Sequence, residues 1–501
     1  MDRRVRLLGL ALCALFLLLF AQISYVQVFA SGRIAANPAN AYRQYVAEYH
    51  VDRGPILARD GTTELAYSRK TKGTLQYQRR YPRGDLYAGI TGFYSIVYGK
   101  SELESAMNSY LTGDAPELAA QTFSDLILGR PKKGGAVVTT IDARLQQVAS
   151  QALGSEPGAV VAMDPRTGDI LAMVSNPSFD PNLLSSGSSA QITQNWNKLN
   201  NDPNTPLLWR SNDELFPPGS TFKMITASAA LEDGLTTNST FPNPRELDLP
   251  LSSGTLQNFG GEWCNGGASQ ISLIQAFTVS CNVTFGEIGL KLGPDKLQAQ
   301  AEAYGFCPTL PPKQTDCVSP TVPFTIPFQT GRFPEPSYFQ GNDPLVAISA
   351  IGQDNVLANP LQMALVASAI ANGGVEMQPR LVLEVRDPTG RVVKTFAPQQ
   401  YGTPISPDTA RAMTQMMVSV VNSGTGVAAQ IPGVTVAGKT GTAQHGTGNP
   451  HAWFVSFAPA ENPRIVVAVI VLDGGSLGSE ATGGQVAAPI AKQVIEAALQ
   501  G

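Results

Sequence analysis

Histidine is almost missing from this chain: three residues in 501, His50, His445 and His451. No pair of them has the spacing of metal ligands and nothing resembles HExxH, so a zinc enzyme is not expected and no metal or other cofactor is called for. Neither sign of charge is in excess. The 35 basic and 39 acidic residues give a net charge of −4, and no Lys/Arg run lies beyond the N-terminus. That leaves no electrostatic footprint for nucleic acid, which is excluded as an expected partner. Internal repeats and low-complexity tracts are also lacking. Cysteine is sparse but informative: Cys13 lies in an apolar stretch, and Cys264, Cys281, Cys307 and Cys317 lie far downstream.

The one long hydrophobic run is at the start. Arg3, Arg4 and Arg6 precede "LLGLALCALFLLLFAQISYVQVFA", Leu7 to Ala30, which carries no charge and is long enough to span a bilayer core. Arginines on that flank place the N-terminus in the cytoplasm and send the rest across the membrane. A cleavable signal peptide is the competing reading, since Val28 and Ala30 would make a passable cleavage site, but the run is longer than an ordinary signal core. The expectation is a single-pass cell-membrane protein with an extracytoplasmic body, a compartment in which four cysteines can pair.

A chain of this length exceeds one compact core and predicts two or three domains. Residues 1–30 are the cytoplasmic tip and anchor, 31–154 a mixed N-terminal domain, and 155–501 the main domain. In the N-terminal part, "LARDGTTELAY" reads as two strands around an Asp60-Gly61 turn. "AVVTTIDARLQQVASQALG", Ala136 to Gly154, passes from a β-branched strand into an amphipathic helix expected to act as an interdomain hinge. Then "GAVVAMDPRTGDILAMVSNPS" reads as an apolar hairpin. Helical patterns follow at 220–232, about 269–292, 361–372 and about 407–422. "GVTVAGKTGTA", "HAWFVSFAP" and "RIVVAVIVLDGG" return to strands before a last helix from about Val486. Pro320 to Gln340 reads as a long irregular loop rimming a cleft. Strands at both ends with helices between predict an α/β domain of the α+β type, with a central, mostly antiparallel sheet shared by its terminal segments and a helical subdomain.

Three short motifs carry the chemistry. In "FPPGSTFKM", Pro218-Gly219 leads tightly into a helix that places Ser220 at its N-terminus, where free N–H groups and the helix dipole favour developing negative charge. Lys223, one turn on, has no acid at i±3 or i±4. If buried, its ammonium loses its proton readily, and the neutral amine can take the serine proton. The bland reading is a lysine snorkelling from an amphipathic helix. "FTVSCNVTF" puts Ser280 and Asn282 on a helix, as a proton relay and a holder of a substrate amide. "VAGKTGTAQ" ends a strand with Lys439, Thr440, Gly441 and Thr442. The lysine and the hydroxyls can bind a carboxylate, and Gly441 lets a substrate backbone approach the strand edge. Together they supply what a serine acyltransferase without histidine needs. "GVTVAGKT" also satisfies the P-loop pattern G-x-x-x-x-G-K-[ST], but the following "GTAQHGTGNPHA" cannot form the helix that receives phosphate, which sets nucleotide binding aside.

"STFK", "SCN" and "KTGT", in that order, resemble the penicillin-binding proteins and serine β-lactamases. "RGPILARDG" at Arg53, "YGKSELE" at Tyr98, "VTTIDARLQ" at Val138, "GQDNVLANPLQMA" at Gly352 and "SGTG" at Ser423 are similar to segments of the class B penicillin-binding proteins. The resemblance covers nearly the whole chain after the anchor. Its shortness, with no C-terminal extension, looks most like the penicillin-binding protein A branch of that class. Cys281 inside Ser-x-Asn and Ala58-Arg59-Asp60-Gly61 in place of Asp-Arg-Asn-Gly depart from the pattern without removing a catalytic group. The resemblance implies a serine β-lactamase/transpeptidase-like domain behind a dimerisation-like N-terminal domain. It implies a membrane-anchored D,D-transpeptidase that cross-links peptidoglycan stem peptides in cell-wall biogenesis through a Ser220 acyl-enzyme, with β-lactams acylating the same serine. Backbone N–H groups of Ser220 and Thr442 would form the oxyanion hole. No glycosyltransferase pattern lies between the anchor and residue 150, so the family implies a membrane glycosyltransferase partner. A D,D-carboxypeptidase, a β-lactamase or β-lactam sensor, or a non-catalytic cell-wall scaffold are the alternatives.

Four exported cysteines allow three pairings, and free buried thiols are a fourth possibility. The expected pairing is Cys264 with Cys281 and Cys307 with Cys317. A helix from Ser272 to Cys281 would rise on the order of 15 Å, and the eight residues before it reach up to about 28 Å, enough to double back.

Overall fold

The alternation of apolar side chains in the strands at 158–176 and 437–471 decides the architecture, because each strand has to bury both faces. The structure, a computed structural model, describes residues 3–26, 48–72, 75–119, 128–185, 188–310, 322–446 and 448–500. Five strands form an antiparallel sheet in the order Ala437–Ala443, His451–Ala458, Ile465–Val471, Gly158–Met163, Ile170–Asn176. The two ends of the main domain therefore meet where Val466–Val471 pairs with Gly158–Met163. On one face Val160, Ala162, Phe454, Val467 and Val469 pack against helices Ala143–Leu153 and Ala487–Leu499. On the other, Val161, Trp453, Val455, Ala468 and Ile470 join the core built on helices Lys223–Glu232, Pro360–Ala371 and Pro407–Ser423. Period-two alternation gives each face its own apolar set, and the result is helix, sheet and helix in three layers.

The helix Ala143–Leu153, expected as a hinge, is part of this packing. Leu145, Ala149 and Leu153 are buried with Val494 and Ile495 of the C-terminal helix, and Arg144 Nη2 donates to Ala497 O at 2.8 Å. Its amphipathic stripe had a sheet face available, and burying it there is worth more than leaving it as a solvated connector.

A second sheet runs Val392–Thr395, Val382–Arg386, Ala136–Thr139, Ile56–Leu57, Glu64–Lys70, Tyr77–Arg80. The expected hairpin at Asp60-Gly61 is there, with Gly61 N–H donating to Ala58 O. Two of its six strands, 382–386 and 392–395, come from deep within the C-terminal part of the chain, a pairing across sequence-distant segments that local pattern does not encode. Inside the N-terminal part, Glu104 takes Arg53 Nε at 2.6 Å and Arg79 Nε at 2.5 Å, all three buried. This ionic triad is the structural use of the "RGP" and "SELE" segments. Arg3–Tyr25 is helical, and its Arg6–Tyr25 portion is long and apolar enough to cross a membrane.

The predicted helix at 269–292 is broken. Gln270–Ser272 is a strand, Leu273–Thr278 a short helix begun by a capping box of Ser272 with Gln275, and Asn282–Ala303 a second helix kinked at Gly293-Pro294. Ser280 therefore lies between helices rather than within one, at φ +61°. Of the predicted 320–340 loop, residues 320–321 lie outside the described residues. Arg332–Pro334 pairs in parallel with Cys307–Thr309.

Candidate active site

Phe216 to Phe222 is fixed from four directions. Phe216 exchanges backbone hydrogen bonds with Ala358, Gly219 N–H donates to Gly352 O at 2.9 Å, Trp453 Nε1 donates to Pro217 O at 3.0 Å, and Phe222 stacks on Phe333. Gly219 has φ +52°, and a Cβ there would lie 3.0 Å from Ala443 Cβ and Thr442 O, so glycine is what lets this turn lie against the Lys439 strand. The turn Gly219–Phe222 is 3₁₀ and continues into the helix Lys223–Glu232. Ser220 is partly exposed at the mouth of a cleft of about 700 Å³.

Lys223 is fully buried. Its Nζ donates to Ser280 O at 2.7 Å, Asn282 Oδ1 at 2.8 Å and Ser280 Oγ at 3.3 Å, with no acid among its partners. Burial first, and the nearby Lys439 second, hold its pKa well below the ordinary 10.5. Snorkelling is ruled out by that burial. Asn282 Nδ2 donates to Gln257 O at 3.1 Å, so the amide is locked between Lys223 and the next loop.

Lys439 is also fully buried. It donates to Ser280 Oγ at 2.8 Å and Thr440 O at 3.0 Å, and burial pushes it down to about 7. It lies on the edge strand Ala437–Ala443, whose alternation turns Lys439 and Gly441 inward and Thr440 and Thr442 to the cleft. The space at Gly441 is taken by protein: a Cβ would meet Pro218 O, Thr221 Cγ2 and Trp453 Cβ, each at 3.0 Å. The groups that can touch a ligand carboxylate are the hydroxyls of Thr440 and Thr442, with Thr425 Oγ1 2.6 Å from Thr440 Oγ1, and Lys439 acts from behind them.

Ser220, Ser280, Asn282, Thr440 and Thr442 thus line one cleft, and Lys223 and Lys439 lie buried beneath it with their amines on Ser280. Ser220 opens the turn that Lys223 follows, and the amines of Lys223 and Lys439 both reach the hydroxyl of Ser280, so two hydroxyls and two buried amines lie together.

Of the opposite wall, residues 257–267, sequence reading singled out only Cys264. Asn258 Oδ1 accepts the N–H groups of Asn282 and Val283 at 3.0 and 3.1 Å, and so caps the helix that Asn282 opens. Asn243 Nδ2 donates to Cys264 O and Ala268 O. Cys264 and Cys281 form a disulfide with Cα atoms 5.9 Å apart. Cys307 is disulfide-bonded as well, while Cys317 lies outside the described residues. The signal for this wall in the sequence was its cysteine: the expected pairing of Cys264 with Cys281 is the one observed.

His445, His451 and Asp473 also converge, with candidate donor atoms within 4.8 Å of one another, although six residues separate the histidines. His451 Nδ1 accepts the Asp473 N–H at 3.1 Å, which leaves its proton on Nε2 in the neutral ring, and His451 packs edge-on against Phe216. The cluster braces the lead-in to Ser220.

A profile described as "Penicillin binding protein transpeptidase domain" matches residues 158–496, and one described as "Penicillin binding protein A dimerisation domain" matches 53–137. The chain is 41% identical to the peptidoglycan D,D-transpeptidase PbpA of Mycolicibacterium smegmatis, over all of this chain and 99% of that protein. It is 40% identical to the Mycobacterium tuberculosis protein of that name, over the full length of both. The solved ceftriaxone acyl-enzyme complex of M. tuberculosis penicillin-binding protein A superposes with a TM-score of 0.84 at 39% identity, covering 91% of this chain and all of that one. Pseudomonas aeruginosa PBP2 gives 0.72 at 29%, covering 89% and 95%.

Proposed function

The chain belongs to the penicillin-binding protein transpeptidase family, and on that footing we propose that it is a peptidoglycan D,D-transpeptidase working through an acyl-enzyme on Ser220. The observation that carries this is the meeting of Lys223, Ser280, Asn282 and Lys439 beside a partly exposed serine in an open cleft. Neutral Lys223 takes the Ser220 proton as Oγ attacks the carbonyl of a terminal D-Ala-D-Ala. The N–H groups of Ser220 and Thr442 hold the oxyanion, a contribution of about 3–4 kcal/mol per donor in such sites. Ser280 relays the proton to the departing D-alanine, whose carboxylate lies at Thr440 and Thr442 with Lys439 behind. Asn282 holds the donor amide. An amine of a neighbouring stem peptide then takes the acyl group, and β-lactams stop at the first half.

The helix Arg3–Tyr25 is the single anchor, with its arginines cytoplasmic and the cleft outside. Glycan strands come from a partner membrane glycosyltransferase, met through the anchor and the N-terminal part. The test is a fluorescent penicillin followed by denaturing gel and peptide mapping. Label on Ser220, lost in Ser220→Ala with the fold intact, is the expected result; label that survives or maps elsewhere overturns the assignment.

A further inference from the structure

The cleft is chemically lopsided. One wall carries the hydroxyls of Thr425, Thr440, Thr442 and Thr482, and Lys223 and Lys439 lie fully buried beneath the floor. The other wall, the 257–267 loop, carries Phe259, Glu262 and Trp263. Glu262 is the one acidic side chain among the residues lining the cleft, and no lysine or arginine lines it. Glu262 is exposed, and among the described residues its carboxylate has neither an ion pair nor a hydrogen bond. Arg245 Nε donates to the loop backbone at Gly261 O, at 2.7 Å. Phe259 and Trp263 are 60% and 50% exposed, unusual for residues of that size unless something covers them.

The loop is also held rigidly to the catalytic residues. Asn258 caps the Asn282 helix, Gln257 O accepts from Asn282 Nδ2, and Cys264, next to Trp263, is bonded to Cys281, next to Ser280. A flexible surface loop would present these three side chains anywhere; this one presents them at a fixed place over the floor.

We propose that Glu262, flanked by Phe259 and Trp263, is the specificity-determining group of the acceptor subsite and takes the primary ammonium of the incoming stem peptide. The inference rests on the transpeptidase reading and adds to it the place and charge of the second substrate. A donor ends in a carboxylate, which Glu262 repels and the threonine wall receives. An acceptor brings an ammonium, which a carboxylate beside two aromatic faces attracts by charge and by cation–π contact. From there the ammonium releases one proton to bulk water, and the neutral amine attacks the acyl carbon. The new C–N bond forms as the C–Oγ bond to Ser220 breaks, and the amine proton passes through Lys223 to Ser220 Oγ, with no redox partner required.

The test uses the full-length chain in detergent with an N-acylated D-alanyl thioester as donor. Two acceptors compete: a short peptide with one side-chain primary amine, and hydroxylamine, which is uncharged at neutral pH. Product formed is normalised to acyl-enzyme present. In Glu262→Gln the ratio of amine to hydroxylamine transfer falls roughly three- to fivefold through a higher KM for the amine, and it falls further in Glu262→Lys. Trp263→Ala gives a smaller loss in the same direction. An unchanged amine KM in both Glu262 variants overturns the proposal, as does an equal loss for both acceptors, which would mark a structural role. A wild-type chain that hydrolyses the donor but transfers to neither acceptor overturns the transpeptidase reading and this inference together, whereas selective failure with the variants touches only the subsite.

Discussion

Lys223 and Lys439 bring their amines to a single hydroxyl, Ser280 Oγ, at 3.3 and 2.8 Å. Two buried ammonium groups cannot share one hydroxyl oxygen without strong repulsion, so the arrangement favours at least one neutral amine. Burial and the Lys439 charge lower the Lys223 pKa. Its neutral fraction therefore grows as pH rises through a value below the ordinary 10.5. The rate of penicillin acylation is expected to climb with pH and level off well before that value, as stopped-flow fluorescence would record. Lys223→Arg should be nearly as slow as Lys223→Ala, because guanidinium does not give up its proton. Rescue by arginine would make Lys223 only a structural cation.

Ser280 has φ +61°, a left-handed conformation that a residue with a Cβ adopts at a cost on the order of 1 kcal/mol. Its hydroxyl contributes chemistry and its backbone contributes strain, and two substitutions separate them. Ser280→Ala and Ser280→Gly should both slow acylation by about 100-fold or more. The glycine variant should nonetheless unfold about 0.5–1 kcal/mol later than the alanine variant in urea. Equal stabilities would show that the left-handed backbone carries no strain.

The Cys264–Cys281 link closes a loop with a sequence separation of 17. Replacing both cysteines with serine should cost about 3 kcal/mol in the chain-entropy picture, read as a lower Tm. Because the link spans the 257–267 wall and the Ser280 turn, donor KM should rise more than kcat falls. A variant with a lower Tm and unaltered KM would confine the disulfide to stability.

Glu376 is fully buried with neither carboxylate oxygen hydrogen-bonded among the described residues, and burial pushes its pKa up to about 8. The tyrosines whose charge state it influences are Tyr304 and Tyr401. A raised folded-state value means that the folded chain keeps a proton the unfolded chain has released. Stability is then fully present below the ordinary carboxylate range and is lost as pH rises through about 8, on the order of 3 kcal/mol between pH 5 and 8. Glu376→Met should flatten that decline in urea titrations at several pH values. A slope identical to wild type would show that Glu376 does not titrate there.

The candidate site residues were legible because each motif is local: a Pro-Gly lead-in before Ser220, a lysine one turn on, and a strand in which Thr440 and Thr442 alternate with Lys439. The sheet was legible for the same reason, since 451–458 and 465–471 are short, β-branched and aromatic apolar runs bounded by turn residues. The burial of Lys439 behind its threonines was not, because it depends on where Ser280 sits, and Ser280 is placed by a helix break that helical periodicity across 269–292 hides. The Asn258 cap and the aromatic wall were invisible for a related reason. They sit on an irregular loop without periodicity, and the partners of Asn258 lie more than twenty positions away, at Asn282 and Val283. The packing at Gly441 was equally hidden, since only tertiary structure shows that Pro218, Thr221 and Trp453 fill the space a Cβ would take.

The pairing of Val382–Arg386 with Ala136–Thr139, and of that strand with Ile56–Leu57, bears on how the molecule can be cut. A fragment beginning at Gly158 keeps the whole cleft, yet it strips the Val382–Val392 hairpin of its neighbour and leaves a row of unpaired backbone N–H and C=O groups. Such an edge invites pairing with a second chain. The smallest piece with that edge covered starts upstream of Ile56, so solubility, rather than chemistry, ties the two parts of the chain together.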